Sequence, residues 1–312
     1  MPGMSLLLCA QTANLDRWRR ELSMAFPGEP LAVWPDVPDP AAVRIALVAK
    51  PPAGALAGFP NLELICSLWA GVDRLLADPT LPRHVPLTRL IDPQLTAGMV
   101  ESVVLHVLSA HRLVPRYRRQ QARAEWRQHH QPAAAECTVG ILGFGELGRA
   151  CAEALLPLGF PLLGWTRSAR SHPRVECAHG EAGLAQVLAR SNILVCLLPD
   201  TPETRGLLDA ARLALLPPGA AVINVGRGPV LDDDALLAAL DEGRIETAIL
   251  DVFRTEPLPA DHPFWGHEQV WVYPHVAADT DPHSGSLVVA DTVRRFRGGL
   301  PLPERVDYGR GY

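Results

Sequence analysis

Short aliphatic runs recur along the chain and read as buried strands. In the first 95 residues they lie at Ser5–Leu8, Ile45–Val48 and Glu63–Ser67, with a helix predicted over Asp16–Ala25. Prolines at positions 79, 82, 86 and 93 then mark loop chemistry. From Ala97 to Arg119 the pattern turns helical, apolar at Val100, Val103, Val104, Val107 and Leu108 and basic at its far end, where cations suit the helix dipole. The stretch from Gln120 to Glu136 is polar and predicts a surface connection.

Beyond residue 137 the alternation becomes regular. Strands are predicted at Thr138–Leu142, Pro161–Trp165, Ile193–Leu197, Ala221–Val225, Ile245–Leu250 and Val270–Tyr273. Helices are predicted between them at Leu147–Leu156, Leu184–Ala189, Ala210–Leu215 and Asp232–Glu242. Near-continuous apolar strands separated by helices require a parallel sheet covered on both faces, the α/β class. A last helix over Ser284–Arg295 leads into a Pro/Gly-rich tail too short to form a domain, so it is expected to pack back on the first.

Composition narrows the function. The 312 residues are 48% hydrophobic and 20% charged, ample material for two cores, and 29 − 34 gives a net charge of −5. That balance disfavours nucleic acid as a partner. Lys50 is the sole lysine. The six cysteines are scattered without a CxxC pair, which predicts buried thiols in a reducing compartment. His129 and His130 have no carboxylate or cysteine at ligand spacing, so they predict a solvated loop and no metal. No apolar stretch reaches the ~18 residues of a membrane span, and the opening residues read as a first strand, without the basic region of a signal peptide. A soluble, cytoplasmic protein is expected.

Gly143-Phe144-Gly145-Glu146-Leu147-Gly148 follows the strand TVGIL and opens the helix LGRACAEALL. At a strand-to-helix turn this spacing has a mechanism: Gly143 for the tight turn, Gly145 for approach to a pyrophosphate, Gly148 for close helix packing. The helix N-terminus adds unbonded N–H groups and partial positive charge. The next strand does not end in the carboxylate that grips a ribose 2′-hydroxyl. It runs into Trp165-Thr166-Arg167-Ser168-Ala169-Arg170, where Arg167, Ser168 and Arg170 suit a 2′-phosphate. NADP(H) is therefore expected over NAD(H), with the latter used less efficiently.

Three further segments end strands: Asn224-Val225-Gly226-Arg227-Gly228, Asp251-Val252-Phe253-Arg254-Thr255-Glu256 and Tyr273-Pro274-His275-Val276-Ala277-Ala278. Taken singly, each charged residue also suits a turn or a solvated surface. Together, Arg227, Glu256 and His275 suit reduction of a ketoacid: a protonated histidine to donate, a carboxylate to stabilise imidazolium, and an arginine for the substrate carboxylate and carbonyl.

These blocks, with LLPDTPETRGLL and the first-domain run Leu68-Trp69-Ala70-Gly71-Val72-Asp73, resemble the D-isomer-specific 2-hydroxyacid dehydrogenases in order and spacing. The resemblance implies two Rossmann-like domains with doubly wound parallel sheets. An NADP-binding domain of residues 97–281 is inserted into a discontinuous, flavodoxin-like substrate domain of residues 1–96 plus 282–312, with substrate bound between them. It implies Arg227 as the residue that orients substrate, His275 as the acid and Glu256 as its partner. Cofactor contacts are implied for Gly143, Gly145, Glu146, Leu147, Gly148, Arg167, Ser168, Arg170, Leu198, Pro199, Thr204, Val225, Gly226 and Ala277. Asp251 is assigned to the nicotinamide carboxamide, and the amides of Ala70 and Gly71 to the substrate carboxylate. Trp-Thr-Arg-Ser, Pro-His-Val-Ala-Ala and the ending Val-Asp-Tyr-Gly-Arg-Gly-Tyr are similar to a bacterial subgroup within the family. That subgroup implies NADPH-dependent reduction of glyoxylate to glycolate and hydroxypyruvate to D-glycerate, by a homodimer built around the long helix after Ala97. Two positions depart from it: Ala49-Lys50 stands where an aromatic and a histidine are expected, and Trp69 replaces a small residue. Lys50, the sole lysine at a strand end, suits either a solvated loop or an extra carboxylate contact. The rival readings are a sibling dehydrogenase with another substrate and a dinucleotide-sensing regulator like the family's corepressors.

Overall fold

The computed structural model describes Ser5–Gly309 and Gly311. Met1–Met4, Arg310 and Tyr312 lie outside the described residues, and with them the first residues of the opening run and part of the C-terminal signature. The chain divides into two compact units, Met1–Leu95 with Asp279–Tyr312 and Thr96–Ala278. Among the described residues no helix is long and apolar enough to cross a membrane.

The first unit holds a parallel five-stranded sheet of β1 (Ser5–Ala10), β2 (Leu31–Val33), β3 (Val43–Ala49), β4 (Leu64–Ser67) and β5 (Leu87–Thr88), in the order β2-β1-β3-β4-β5. That is the flavodoxin-like strand order. Side chains alternate as the pleat demands. Leu6 and Leu8 enter one core with Trp18, Leu22, Val289 and Val293, while Leu7 and Cys9 enter the other with Ile65, Phe59 and Leu75. The first core lies under α1 (Leu15–Ala25) and the C-terminal helix; the short α2 (Asp73–Leu76) contributes Leu75 to the second.

The second unit carries β6 (Val139–Leu142), β7 (Leu162–Thr166), β8 (Glu176–His179), β9 (Ile193–Cys196), β10 (Ala220–Asn224), β11 (Ile245–Leu250) and β12 (Val270–Val272). All are parallel, in the order β12-β11-β10-β9-β6-β7-β8. The order reverses between β6 and β9, the place where open α/β sheets bind ligands at their carboxyl ends. One face is covered by α3 (Pro93–His111) through Met99, Val103 and Val107 and by α5 (Glu146–Leu155) through Cys151, Ala152 and Leu155. The other is covered by α6 (Gly180–Arg190) and α8 (Asp233–Asp241), with α7 (Ala210–Leu213) beside them. These α/β units bear out the fold class expected from the alternation of apolar runs.

Several boundaries differ from expectation. The helix expected over 97–119 begins at Pro93 and stops at His111, because Leu113 adopts a left-handed backbone (φ +56°). A second helix, α4 (Val114–Ala122), then starts with Pro115 in its first turn, where the missing N–H has no intrahelical partner to lose. Glu246 at the start of β11 anchors α4 by accepting from Arg116 and Arg119. The connection that follows is not wholly solvated. The His129 ring hydrogen-bonds Gln120 Oε1 at 2.8 Å and meets Arg116 at 3.3 Å. The short β2, β5 and β8 were not expected; β8 is an edge strand of exposed or half-exposed residues with no apolar run. All six cysteines are free and five are buried, and burial pushes the thiols of Cys9, Cys66, Cys151 and Cys196 up to about 12.

The C-terminal helix α9 (Pro282–Arg297) starts at Asp281, whose carboxylate caps the amides of His283 and Ser284. It lies against α1 so closely that a Cβ at Gly285 would stand 2.7 Å from the Trp18 ring, itself 1% exposed. Substituting Gly285→Val is therefore expected to lower unfolding free energy by about 1–3 kcal/mol. Urea denaturation followed by tryptophan fluorescence checks it.

Candidate active site

The turn from β6 into α5 forms a backbone cradle. Gly143 has φ +95°, and a Cβ there would stand 2.8 Å from the Leu197 carbonyl oxygen; one at Gly148 would stand 2.3 Å from the Gly143 oxygen. Both positions admit only hydrogen. Gly145 differs, because the space beside its Cα is open. It is the N-cap of α5 and offers no side chain to the first-turn amides. The amides of Gly143 and Phe144 bond the Trp165 carbonyl, while the first-turn amides of α5 suit an outside acceptor such as a pyrophosphate. Glu146 is exposed and Leu147 half-buried on the first turn.

At the end of β7, Trp165 is buried and its indole N–H donates to the Gly180 carbonyl at 2.9 Å. The Thr166 hydroxyl donates to the Ser168 carbonyl at 2.6 Å and shapes the turn that follows. Arg167, Ser168 and Arg170 are all exposed there. Glu203 lies within reach of the Arg167 charge. A bond from the Thr201 hydroxyl, foremost, with its own amide and that arginine, holds its carboxyl below the usual range against slight desolvation. Two cations and a hydroxyl where a ribose carboxylate would otherwise stand suit a dinucleotide with a 2′-phosphate. With the glycine cradle, the donor set fits NADP(H).

Three strand ends carry the side chains expected from sequence to act together, Arg227, Glu256 and His275. β10 ends in the fully buried Asn224, whose carboxamide accepts from the Gly226 amide at 3.2 Å and donates to the Arg227 carbonyl at 3.1 Å. Arg227 is half-buried, and its guanidinium donates to the Gly226 carbonyl at 2.7 Å. The next residue, Gly228, lies on the loop after β11: a Cβ there would stand 1.9 Å from the Phe253 carbonyl carbon. That close approach brings the Arg227 loop against the loop of Glu256.

Glu256 accepts from the Phe253 amide through one oxygen at 3.0 Å and meets His275 Nδ1 through the other at 2.9 Å. Burial would raise its carboxyl. The His275 bond, the Phe253 amide and the charges of His275 and Arg227 outweigh that and hold it below the usual carboxylate range. His275 has the left-handed backbone φ +55°. Its Nδ1 faces Glu256, which leaves Nε2 outside that pair, and 44% of the side chain is exposed.

Asp251, 2% exposed, controls this segment. Its carbonyl accepts from the His275 amide at 2.9 Å, and its carboxylate oxygens accept from the amides of Val276 and Ala277 at 2.7 and 3.0 Å. The residue assigned from sequence to a carboxamide is thus committed to three consecutive backbone amides. Other expected cofactor residues also turn inward. Leu198, Val225 and Ala277 are buried in the cores; the Ala277 amide is taken by Asp251 and its carbonyl by Ser102. The Thr204 hydroxyl donates to the Pro199 carbonyl and accepts from the Thr201 amide, which closes its own turn.

In the first unit, Lys50 and the 69–71 loop follow adjacent strands β3 and β4. Lys50 is exposed with φ +49°. The Trp69 amide is taken by Ser67 Oγ at 3.1 Å, and its ring packs at the edge of the core. Ala70 and Gly71 are half-exposed. Asn224, Ser102, His106 and Tyr273 escaped the sequence reading. Asn224 was signalled by a polar residue closing an apolar strand, and His106 by a histidine in an apolar helical stripe.

The model of the D-isomer specific 2-hydroxyacid dehydrogenase NAD binding domain matches residues 104–277. Glyoxylate/hydroxypyruvate reductase A of Klebsiella pneumoniae strain 342 is 38% identical over 314 residues, covering 99% of this chain and 100% of that protein. A D-isomer specific 2-hydroxyacid dehydrogenase from Xanthobacter autotrophicus Py2, solved with NADPH and MES, is 43% identical with a TM-score of 0.95, covering 99% of this chain and 100% of that one. The NADPH-dependent glyoxylate/hydroxypyruvate reductase of Sinorhizobium meliloti, solved with NADP and sulfate, is 37% identical with a TM-score of 0.93 over 99% of each chain. Motifs, strand order and full-length similarity agree: the chain belongs to the D-isomer-specific 2-hydroxyacid dehydrogenase family.

Proposed function

We propose that this protein is an NADPH-dependent reductase of small 2-ketoacids, converting glyoxylate to glycolate and hydroxypyruvate to D-glycerate. The observation that carries the reading is the His275–Glu256 pair at 2.9 Å, beside the Arg227 loop and at the carboxyl edge of a dinucleotide-binding sheet. The relatives solved with NADPH and NADP support the cofactor, and the similar reductases support the substrates. NAD(H) is a poorer cofactor on this reading, because Arg167, Ser168 and Arg170 favour a 2′-phosphate.

The division of labour follows the two units. The second holds NADP(H) at the glycine cradle and the Arg167 turn. The first recognises substrate through the amides of Ala70 and Gly71, with Lys50 and Trp69 beside them. Leu105 on α3 is 56% exposed and Trp126 is 97% exposed, in keeping with a cytoplasmic homodimer whose second copy covers them.

When bound, NADPH supplies a hydride to the carbonyl carbon. The chain supplies the remainder. Arg227 draws the ketoacid carboxylate and carbonyl into place through paired N–H donors. Charge then develops on the carbonyl oxygen, and imidazolium His275 gives it a proton from Nε2. Glu256, ionised because its carboxyl is held low, fixes the ring through Nδ1 and stabilises the imidazolium that must be present before transfer. The product is a neutral imidazole and a 2-hydroxyacid; solvent restores the proton.

Absorbance loss at the nicotinamide band, with NADPH and NADH in parallel, tests the reading. Rapid NADPH oxidation with glyoxylate and hydroxypyruvate is expected. Binding without turnover would point to a dinucleotide sensor. Substituting His275→Ala is expected to lower kcat by ~10²–10⁴-fold, and near-full activity at saturating substrate would remove His275 from its role. Arg167→Asp is expected to move the NADPH/NADH preference towards NADH by about tenfold or more, the worth of one charge-assisted hydrogen bond. Ratios of kcat/KM for the two cofactors measure it.

A further inference from the structure

Behind the catalytic loops, α3 carries a stripe at helical spacing, Gly98, Ser102 and His106, along the segment that bears His275. A Cβ at Gly98 would lie 3.8 Å from the Ala277 carbonyl oxygen. Ser102 Oγ donates to that carbonyl at 2.6 Å. One turn further, the His106 ring stands 4.9 Å from the ring of Tyr273, tilted by 54°.

His106 is 3% exposed, and its Nδ1 is buried without a hydrogen-bond partner among the described residues. An unmet buried nitrogen costs ~1–3 kcal/mol, a cost that a phenylalanine in the same slot would avoid. The titratable groups that face the ring are Asp251, at the end of β11, and Tyr273. On α3 itself the residues three and four positions away are Ser102, Val103, Ser109 and Ala110, none of them charged. Burial, opposed by the Asp251 charge, holds the imidazole below its ordinary value of 6.5. Burial and the same charge push the Tyr273 phenol up, so it stays neutral. A neutral His106 leaves the Asp251 carboxylate to the Val276 and Ala277 amides. A protonated His106 would set a cation against that carboxylate and compete with both.

We propose that His106 is a positioning residue for the proton donor: as an uncharged imidazole it braces Tyr273 and leaves the Asp251 clamp intact, so that His275 keeps its left-handed backbone and its aim at Glu256. This rests on the reading of His275 as the acid. It adds a conformational condition: the enzyme needs His275 protonated and His106 unprotonated at once. Ketoacid reduction should therefore fall on the acid side of the ordinary histidine range, as His106 gains a proton.

The test is steady-state kinetics of the full-length protein across pH, with NADPH and glyoxylate, for wild type, H106Q, H106A and His275→Ala. H106A is expected to lower kcat at neutral pH by about tenfold or more, with the glyoxylate KM changed by less than about threefold, since Arg227 is untouched. H106Q keeps a polar side chain of similar reach but takes no proton. It is expected to recover kcat and to lose the acid-side fall that wild type shows. A wild-type kcat in H106A, no acid-side fall in wild type, or the same fall in H106Q overturns the inference. Should H106A fail to fold, the H106Q profile still decides it. An inactive His275→Ala beside an unaffected H106A overturns this inference alone. A fully active His275→Ala overturns the proton-donor reading and this inference with it.

Discussion

The catalytic edge depends on one buried carboxylate. Asp251 is removed from water at 2% exposure, and an ion so placed costs several kcal/mol unless its charge is met. Here two successive amides meet the carboxylate, and a third, from His275, is taken by the carbonyl of the same residue. The chain must curl around Asp251 to present them, and that curl places His275 in a left-handed backbone. The electrostatic need of one residue thereby sets the direction of another. Glu256 completes the setting from the opposite side of the ring, with its second oxygen tied to the Phe253 amide.

The cofactor cradle and the catalytic loops are one mechanical unit because backbone touches backbone between them. Gly143 rests on the carbonyl of Leu197, and a Cβ at Gly226 would stand 2.7 Å from that of Leu198. The ends of β6, β9 and β10 are therefore packed through main chain with no side chain to act as a spring. Gly228 extends the chain of contact to the loop after β11. Geometry of this kind keeps the glycine cradle and the loops of Arg227 and Glu256 in a constant relation. The burial of Leu198, Val225 and Ala277 agrees with it, since these residues are packed into the cores beneath the loops.

The sequence made much of this legible because each device has a local signature. Apolar runs at strand length with helices between them specify a covered parallel sheet, and the glycine spacing at 143–148 has meaning because a strand precedes it and a helix follows. The strand-end trio could be named since the chemistry of ketoacid reduction asks for those residue types. What escaped depended on contacts distant in sequence. The break at Leu113 is announced only by Pro115 in an otherwise continuous helical pattern, and β8 pairs at a sheet edge where no apolar run is required. Asp251 reads as a ligand residue from its place in the motif, yet its partners lie 25 and 26 residues away in the backbone of the next strand-end loop. Thr204 likewise reads as a cofactor contact from its place in the motif, while its hydroxyl closes the turn between Pro199 and Thr201.

Backbone strain gives a further view of the same edge. Five described residues other than glycine have a positive φ: Lys50, Leu113, Ala124, His275 and Glu304. Leu113 separates two helices, Ala124 follows the end of α4, and Glu304 sits in a C-terminal turn that bonds Arg89. The other two follow parallel strands, and they are the residues assigned from sequence to substrate carboxylate and substrate proton. Such a conformation costs about 1–3 kcal/mol and persists where the surroundings dictate it. For His275 the surroundings are the Asp251 clamp. For Lys50 they are the Ala49 carbonyl, held by the Gln11 amide at 2.8 Å, and the rigid Pro51-Pro52 that follows. A proline after Lys50 narrows its backbone further, so relaxation to an extended strand would redirect the chain beyond it. Lys50 is exposed after β3, the strand paired with the one that precedes the 69–71 loop, and the left-handed backbone of His275 accompanies its bond to Glu256. In each unit one of the strand ends where chemistry is expected holds such a backbone.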